Sequence, residues 1–106
     1  MLRTNGMKVE ILYFDGCPGF AEFVPRVRDL VGSRGEVELH SVESVEDAQH
    51  MKFLGSPTLR VNGEDVEPGA DGRTDFGMKC RLYRAADRLT HAPPDDWVRR
   101  ALDAAA

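Results

Sequence analysis

Apolar and polar positions repeat along the chain with two different periods. Residues 8–14 set Val9, Ile11 and Tyr13 on one side and Glu10, Leu12 and Phe14 on the other, with Glu10 the charged residue inside the run. Apolar character on both sides predicts a central strand covered on both faces. From residue 20 the period lengthens. Phe20, Phe23, Val24, Val27, Leu30 and Val31 form one stripe of an amphipathic helix, with Glu22, Arg26, Arg28 and Asp29 on its wet side. Pro18 suits a first helical position, so the helix is expected to open there and to hold Cys17 at its N-terminus. Gly32 and Gly35 bracket its end. Pro25, inside it, predicts a kink because proline removes one backbone bond.

Residues 36–42 alternate, with Val37, Leu39 and Ser41 opposing Glu36, Glu38 and His40, which predicts a half-buried edge strand. Ser44 caps a short helix with Glu46 and Asp47 in its first turn. Ala48, Met51 and Leu54 face inward, and Gly55 ends it. Asn62-Gly63 predicts a hairpin joining strands at 58–61 and 65–67. Pro57 precedes the first of these, where its missing donor is tolerated. Residues 68–75 are a loop by composition. Residues 76–87 read two ways. Met78, Leu82 and Ala86 fit a helix face, the preferred reading for part of the stretch, while Cys80, Leu82 and Tyr83 fit a short strand. Residues 90–93 connect to a last helix opened by Pro94-Asp95-Asp96, with Trp97, Val98, Ala101, Leu102 and Ala105 as its buried stripe. This order of elements gives a mixed sheet between helices.

The 106 residues suit one domain, expected over 7–106 behind a disordered lead at 1–6. A net charge of −4 without a basic stripe argues against nucleic acid as a partner. No apolar run approaches a membrane span, and the first residues lack a signal-peptide core. The cytoplasm is therefore the expected location, where thiols stay mostly reduced. Two cysteines in that setting suggest chemistry or packing more than a staple. A helix N-terminus lowers a thiol pKa, which makes Cys17 a candidate nucleophile; its plain alternative is a relic cysteine. Lys79, Arg81 and Arg84 are charges that favour a thiolate at Cys80, whose plain alternative is a small core residue near Met78 and Leu82. Cys17 and Cys80 can be bridged only if their Cα atoms lie within about 7 Å. His40, His50 and His91 have no ligand spacing, so no metal site is assigned. Asp71, Asp75, Asp95 and Asp96 read as turn and cap residues.

Three features resemble the thioredoxin/glutaredoxin superfamily over residues 7–67 and the final helix. Cys17-Pro18-Gly19-Phe20 falls where that superfamily has Cys-x-x-Cys, Pro25 lies where many members kink their first helix, and Gly55-Ser56-Pro57-Thr58 resembles the Gly-x-Pro-Thr of the cis-proline loop. The resemblance implies a thioredoxin-like three-layer α/β sandwich, with a mixed central sheet of about four strands flanked by helices. It implies a cis Pro57 facing Cys17, with Pro18, Ser56, Pro57 and Thr58 positioning a protein or small-molecule disulfide. The backbone groups of Ser56 and Thr58 are then expected to be free to pair with a thiol-bearing peptide as an added strand. Phe20 replaces the second motif cysteine and cannot resolve a mixed disulfide. Exchange through Cys17 is then monothiol, or is resolved by Cys80 or by glutathione or another small thiol as co-substrate; no resident cofactor is implied.

The Asp-Gly-Cys-Pro start and the late Cys80-Arg81-Leu82-Tyr83 also resemble small bacterial thioredoxin-like proteins, some labelled alkylmercury lyase. That enzyme carries an Asp three residues after its first cysteine, where this chain has Phe20; Asp15 is the nearby carboxylate. Two further expectations stand beside a thiol–disulfide oxidoreductase. One is a non-catalytic binding module presenting the Pro57 edge and the Phe20 surface. The other is soft-metal or organomercurial chemistry through Cys17 and Cys80.

Overall fold

The computed structural model describes residues 7–105; the expected lead at 1–6 lies outside them. Strand β1, Met7–Tyr13, is followed by helix α1, Phe20–Val31, a short 3-10 turn, and strand β2, Gly35–Ser41. Helix α2, Val45–His50, leads to the hairpin of β3, Thr58–Val61, and β4, Glu64–Asp65. A second hairpin, β5, Tyr83–Ala85, and β6, Arg88–Thr90, precedes helix α3, Asp95–Ala105. The main sheet is mixed, in the order β2-β1-β3-β4, with β1 parallel to β2 and antiparallel to β3. The second hairpin forms its own two-stranded sheet. Among the described residues, no helix is long and apolar enough to cross a membrane.

The period-2 pattern of β1 sends Val9 and Ile11 to one face, where they pair with Val61 and Leu59 of β3. Phe23, Val24, Val27 and Val31 of α1 and Val98 and Leu102 of α3 close over them as the main core. Each such side chain, once buried, stabilises the fold by about 1.5–3 kcal/mol relative to exposure. On the opposite face Leu12, Val42, Ala48 and Phe53 form a second, smaller cluster. The expectation that β1 is covered on both faces holds only at that end. Helix α2 has six residues and reaches Leu12, while Lys8 stays exposed and Glu10 is half-buried. The parallel register puts Glu10 opposite Glu38, and His40 reaches both carboxylates at 3.2 Å. The three side chains thus converge on the face of the sheet opposite Val9 and Ile11.

Several boundaries differ from the sequence reading. Helix α1 begins at Phe20, not Pro18, because Gly19 caps it at φ 87°, a left-handed conformation that glycine adopts without strain. The helix runs unbroken through Pro25; the partner position, Ala21, is exposed, so the carbonyl that loses its donor lies on the solvent side of the helix. Ser44 caps α2 as expected, accepting from the Asp47 N–H at 3.0 Å, but the helix stops at His50 rather than Gly55. The Asn62-Gly63 hairpin forms with Val61 opposite Glu64, one residue tighter than expected. Leu39 on edge strand β2 is 40% exposed. No helix forms in 76–87: the preferred reading there gives way to an extended segment and the β5–β6 hairpin, turning at Ala86 with φ 55°.

Candidate functional site

Strand β1 ends at Tyr13, and the chain turns through Asp15 and Gly16 before Cys17. The Tyr13 and Phe20 rings stack across this turn at 4.3 Å. Cys17 is buried, at 8% exposure, and precedes the helix by three residues. Its sulfur is bonded to that of Cys80, with Cα atoms 5.4 Å apart and the two residues 63 positions apart in sequence. Both cysteines of the chain are therefore used in one disulfide. Neither is the isolated thiol of a monothiol motif, and Cys80 is exposed rather than a core residue. The expected preference for chemistry or packing over a cross-link is overtaken by this bond, which sits poorly with a reducing cytoplasm.

Cys80 reaches Cys17 because the backbone around it pairs with the loop before β3. The Ser56–Pro57 peptide is cis, and Pro57 is buried. The Ser56 N–H donates to the Lys79 carbonyl at 2.8 Å, and the Arg81 N–H donates to the Ser56 carbonyl at 2.9 Å. Ser56 and Cys80 thus form a parallel bridge. The Gly77 N–H adds a bond to Phe53 O at 3.0 Å. Gly55 allows the close approach, since a Cβ there meets Arg81 Cβ at 2.9 Å and Lys79 O at 3.0 Å.

The expectation that Ser56 and Thr58 keep free backbone groups is corrected by these contacts. Both main-chain groups of Ser56 are engaged by the chain itself. Its hydroxyl accepts from the Phe14 N–H at 3.2 Å and donates to the Phe14 carbonyl at 3.3 Å. Thr58 is opposite Leu12 in the sheet, and its hydroxyl donates to Gly55 O at 2.6 Å. The Pro57 carbonyl accepts from the Tyr83 hydroxyl at 2.5 Å. Pro18 is exposed on the turn beside Cys17.

Two of the charges expected to favour a Cys80 thiolate, Arg81 and Lys79, are engaged by carboxylates. Arg81, 2% exposed, forks onto Asp65 at 2.7 and 3.0 Å, and reaches Glu67 at 2.8 Å and the Thr58 hydroxyl at 2.9 Å. It also lies over the Tyr83 ring, 4.4 Å from the centroid. Arg73 bridges Glu67 to Asp75, and Lys79 pairs with Asp75 at 2.8 Å. Burial works against the Arg81 charge, but Tyr83 and the Asp65 and Glu67 carboxylates hold its guanidinium above the ordinary arginine value. Burial pushes the Tyr83 phenol well above its usual range. Hydrogen bonds from Arg73 and Lys79 hold Asp75 well below the usual carboxylate range.

Sequence reasoning named Arg81 only as a charge beside Cys80 and Tyr83 only as part of a short strand; the structure uses both to position the segment, through Thr58, Asp65, Glu67 and the Pro57 carbonyl. Their signal was the strand-like alternation of 80–83, which buries Arg81 and Tyr83 and exposes Cys80 and Leu82. A broad groove of about 1130 Å³ between the β3–β4 hairpin, the loop after it and α3 contains neither cysteine. The sulfurs lie outside it, at the junction of the β1 turn, the Pro57 loop and segment 77–82. No protein-family model matches the chain, and no curated protein or solved structure matches it either.

Proposed function

We propose that the chain is a thiol–disulfide oxidoreductase of thioredoxin-like fold, with Cys17–Cys80 as its redox couple. The observation that carries this reading is the placement of the bond. It joins the turn after the first strand to a segment paired with the residue before the cis Pro57. The strand order and the α1 crossover from β1 to β2 are compatible with such a fold. Exchange then breaks the Cys17–Cys80 bond as a partner disulfide forms, and the reverse regenerates it. In a reducing cytoplasm the pair rests as two thiols and closes on oxidation. Equilibration with glutathione redox buffers, read by thiol alkylation and mass, tests the reading. A reduction potential above about −300 mV and turnover of a small disulfide are expected; a lower potential marks a structural bond.

A structural staple is the second reading, favoured by the burial of Cys17. Closing a loop of this length stabilises a fold by about 4 kcal/mol in the chain-entropy picture. The potential separates the two readings, because a staple resists glutathione and a redox couple responds to it.

A further inference from the structure

The two halves of the disulfide are not equivalent. Cys17 is 8% exposed and sits behind its turn, whereas Cys80 is exposed. The edge beside Cys17 on which an incoming extended chain pairs is already filled, since Lys79 O and the Arg81 N–H occupy both backbone groups of Ser56. No gap separates the two segments, given how closely Gly55 approaches Arg81. Arg81 anchors the filling segment independently of the sulfurs, through Thr58, Asp65 and Glu67. The segment therefore stays in place when the bond opens.

From this we propose, on the basis of the oxidoreductase reading, that the bond is attacked at Cys80 and that the attacker is a low-molecular-weight thiol, not an extended polypeptide. The thiolate of the small thiol bonds to the Cys80 sulfur, the Cys17–Cys80 bond breaks, and its electron pair leaves on Cys17 as thiolate. A second molecule of the same thiol then attacks the sulfur of the first. It forms the small disulfide and releases Cys80 as thiolate, so that two thiols are oxidised for one protein disulfide reduced. Cys17 is the leaving group, and the resolving group only when the reaction runs in reverse, and Cys80 is the residue the substrate touches. This reverses the order expected from a motif cysteine at the start of a helix.

Brief exposure of the oxidised protein to limiting glutathione, acid quenching and peptide mapping tests the proposal without any substitution. The glutathionyl group is expected on Cys80. An adduct on Cys17, or on neither cysteine, overturns the proposal. Paired variants give a second measure: the lone thiol of Cys17→Ala should react with oxidised glutathione at least about ten-fold faster than that of Cys80→Ala. Equal rates, or the reverse order, also overturn it. A short cysteine-containing peptide should reduce the wild-type protein no faster than glutathione does, and a ten-fold advantage for the peptide refutes the small-thiol assignment. The oxidoreductase reading fails separately, on the measured potential and turnover, so a misplaced adduct and an inert couple are distinguishable.

Discussion

The guanidinium of Arg81 commits four N–H groups to Thr58, Asp65 and Glu67 at 2% exposure. Removing one partner of a buried ion pair strands the others, at a cost of about 3–5 kcal/mol. Arg81→Ala is expected to lose stability in that range by urea denaturation. The neighbouring Leu82 is 52% exposed, and Leu82→Ser should stay within about 0.5 kcal/mol of wild type. Reading the sequence by hydrophobicity ranks these two positions the other way round. An arginine is buried only where carboxylates meet it, and Asp65 and Glu67 lie 16 and 14 residues away, beyond any local pattern. Asp75 gives a pH signature of its own. Its carboxyl is held low in the fold, so its contribution is present above the ordinary carboxylate value of about 3.9 and fades as pH falls through its lower folded value. Asp75→Asn should therefore narrow the difference in urea midpoint between pH 6 and pH 3, a modest change because Asp75 is half-exposed.

Among the elements, α1 was legible because Phe23, Val24, Val27 and Val31 repeat at helical spacing and all four are buried. The β3–β4 hairpin was legible because Asn62 and Gly63 adopt the positive φ values, 52° and 85°, that a tight hairpin turn demands. Segment 77–82 was not, because its conformation is set by bonds to Phe53 and Ser56, over 20 residues away, rather than by its own periodicity. Gly55 is where that dependence is most exposed to test. At φ 132° and with Arg81 Cβ at 2.9 Å from a built Cβ, alanine there is both strained and obstructed. Gly55→Ala should cost about 1–3 kcal/mol. Hydrogen exchange should rise at the Ser56 and Arg81 amides while those of α1 stay protected.

On the scale of the whole molecule, the main core and the disulfide make separate contributions. Val9, Ile11, Phe23, Leu59, Val98 and Leu102 pack with no sulfur among them, so the reduced protein is expected to remain folded. Reduction should lower the urea midpoint by an amount equivalent to at most about 4 kcal/mol, with the far-UV circular dichroism retained. The mixed sheet was foreseen from the order of elements. The bare half of its second face was not, because the length of α2 could not be judged from a run in which Met51 and Leu54 continue the helical spacing.

The bond between residues 17 and 80 makes a covalent ring of α1, β2, α2 and the β3–β4 hairpin, and leaves β1, the second hairpin and α3 outside it. A protease cutting at the exposed Pro68 and Gly69 would thus produce two pieces that migrate as one until a reductant is added. Fraying that begins at the C-terminus can peel α3 from the core while the ring keeps its circumference. The molecule is topologically a closed loop carrying two free tails, and these supply Val9 and Ile11 from one end and Val98 and Leu102 from the other to the interior.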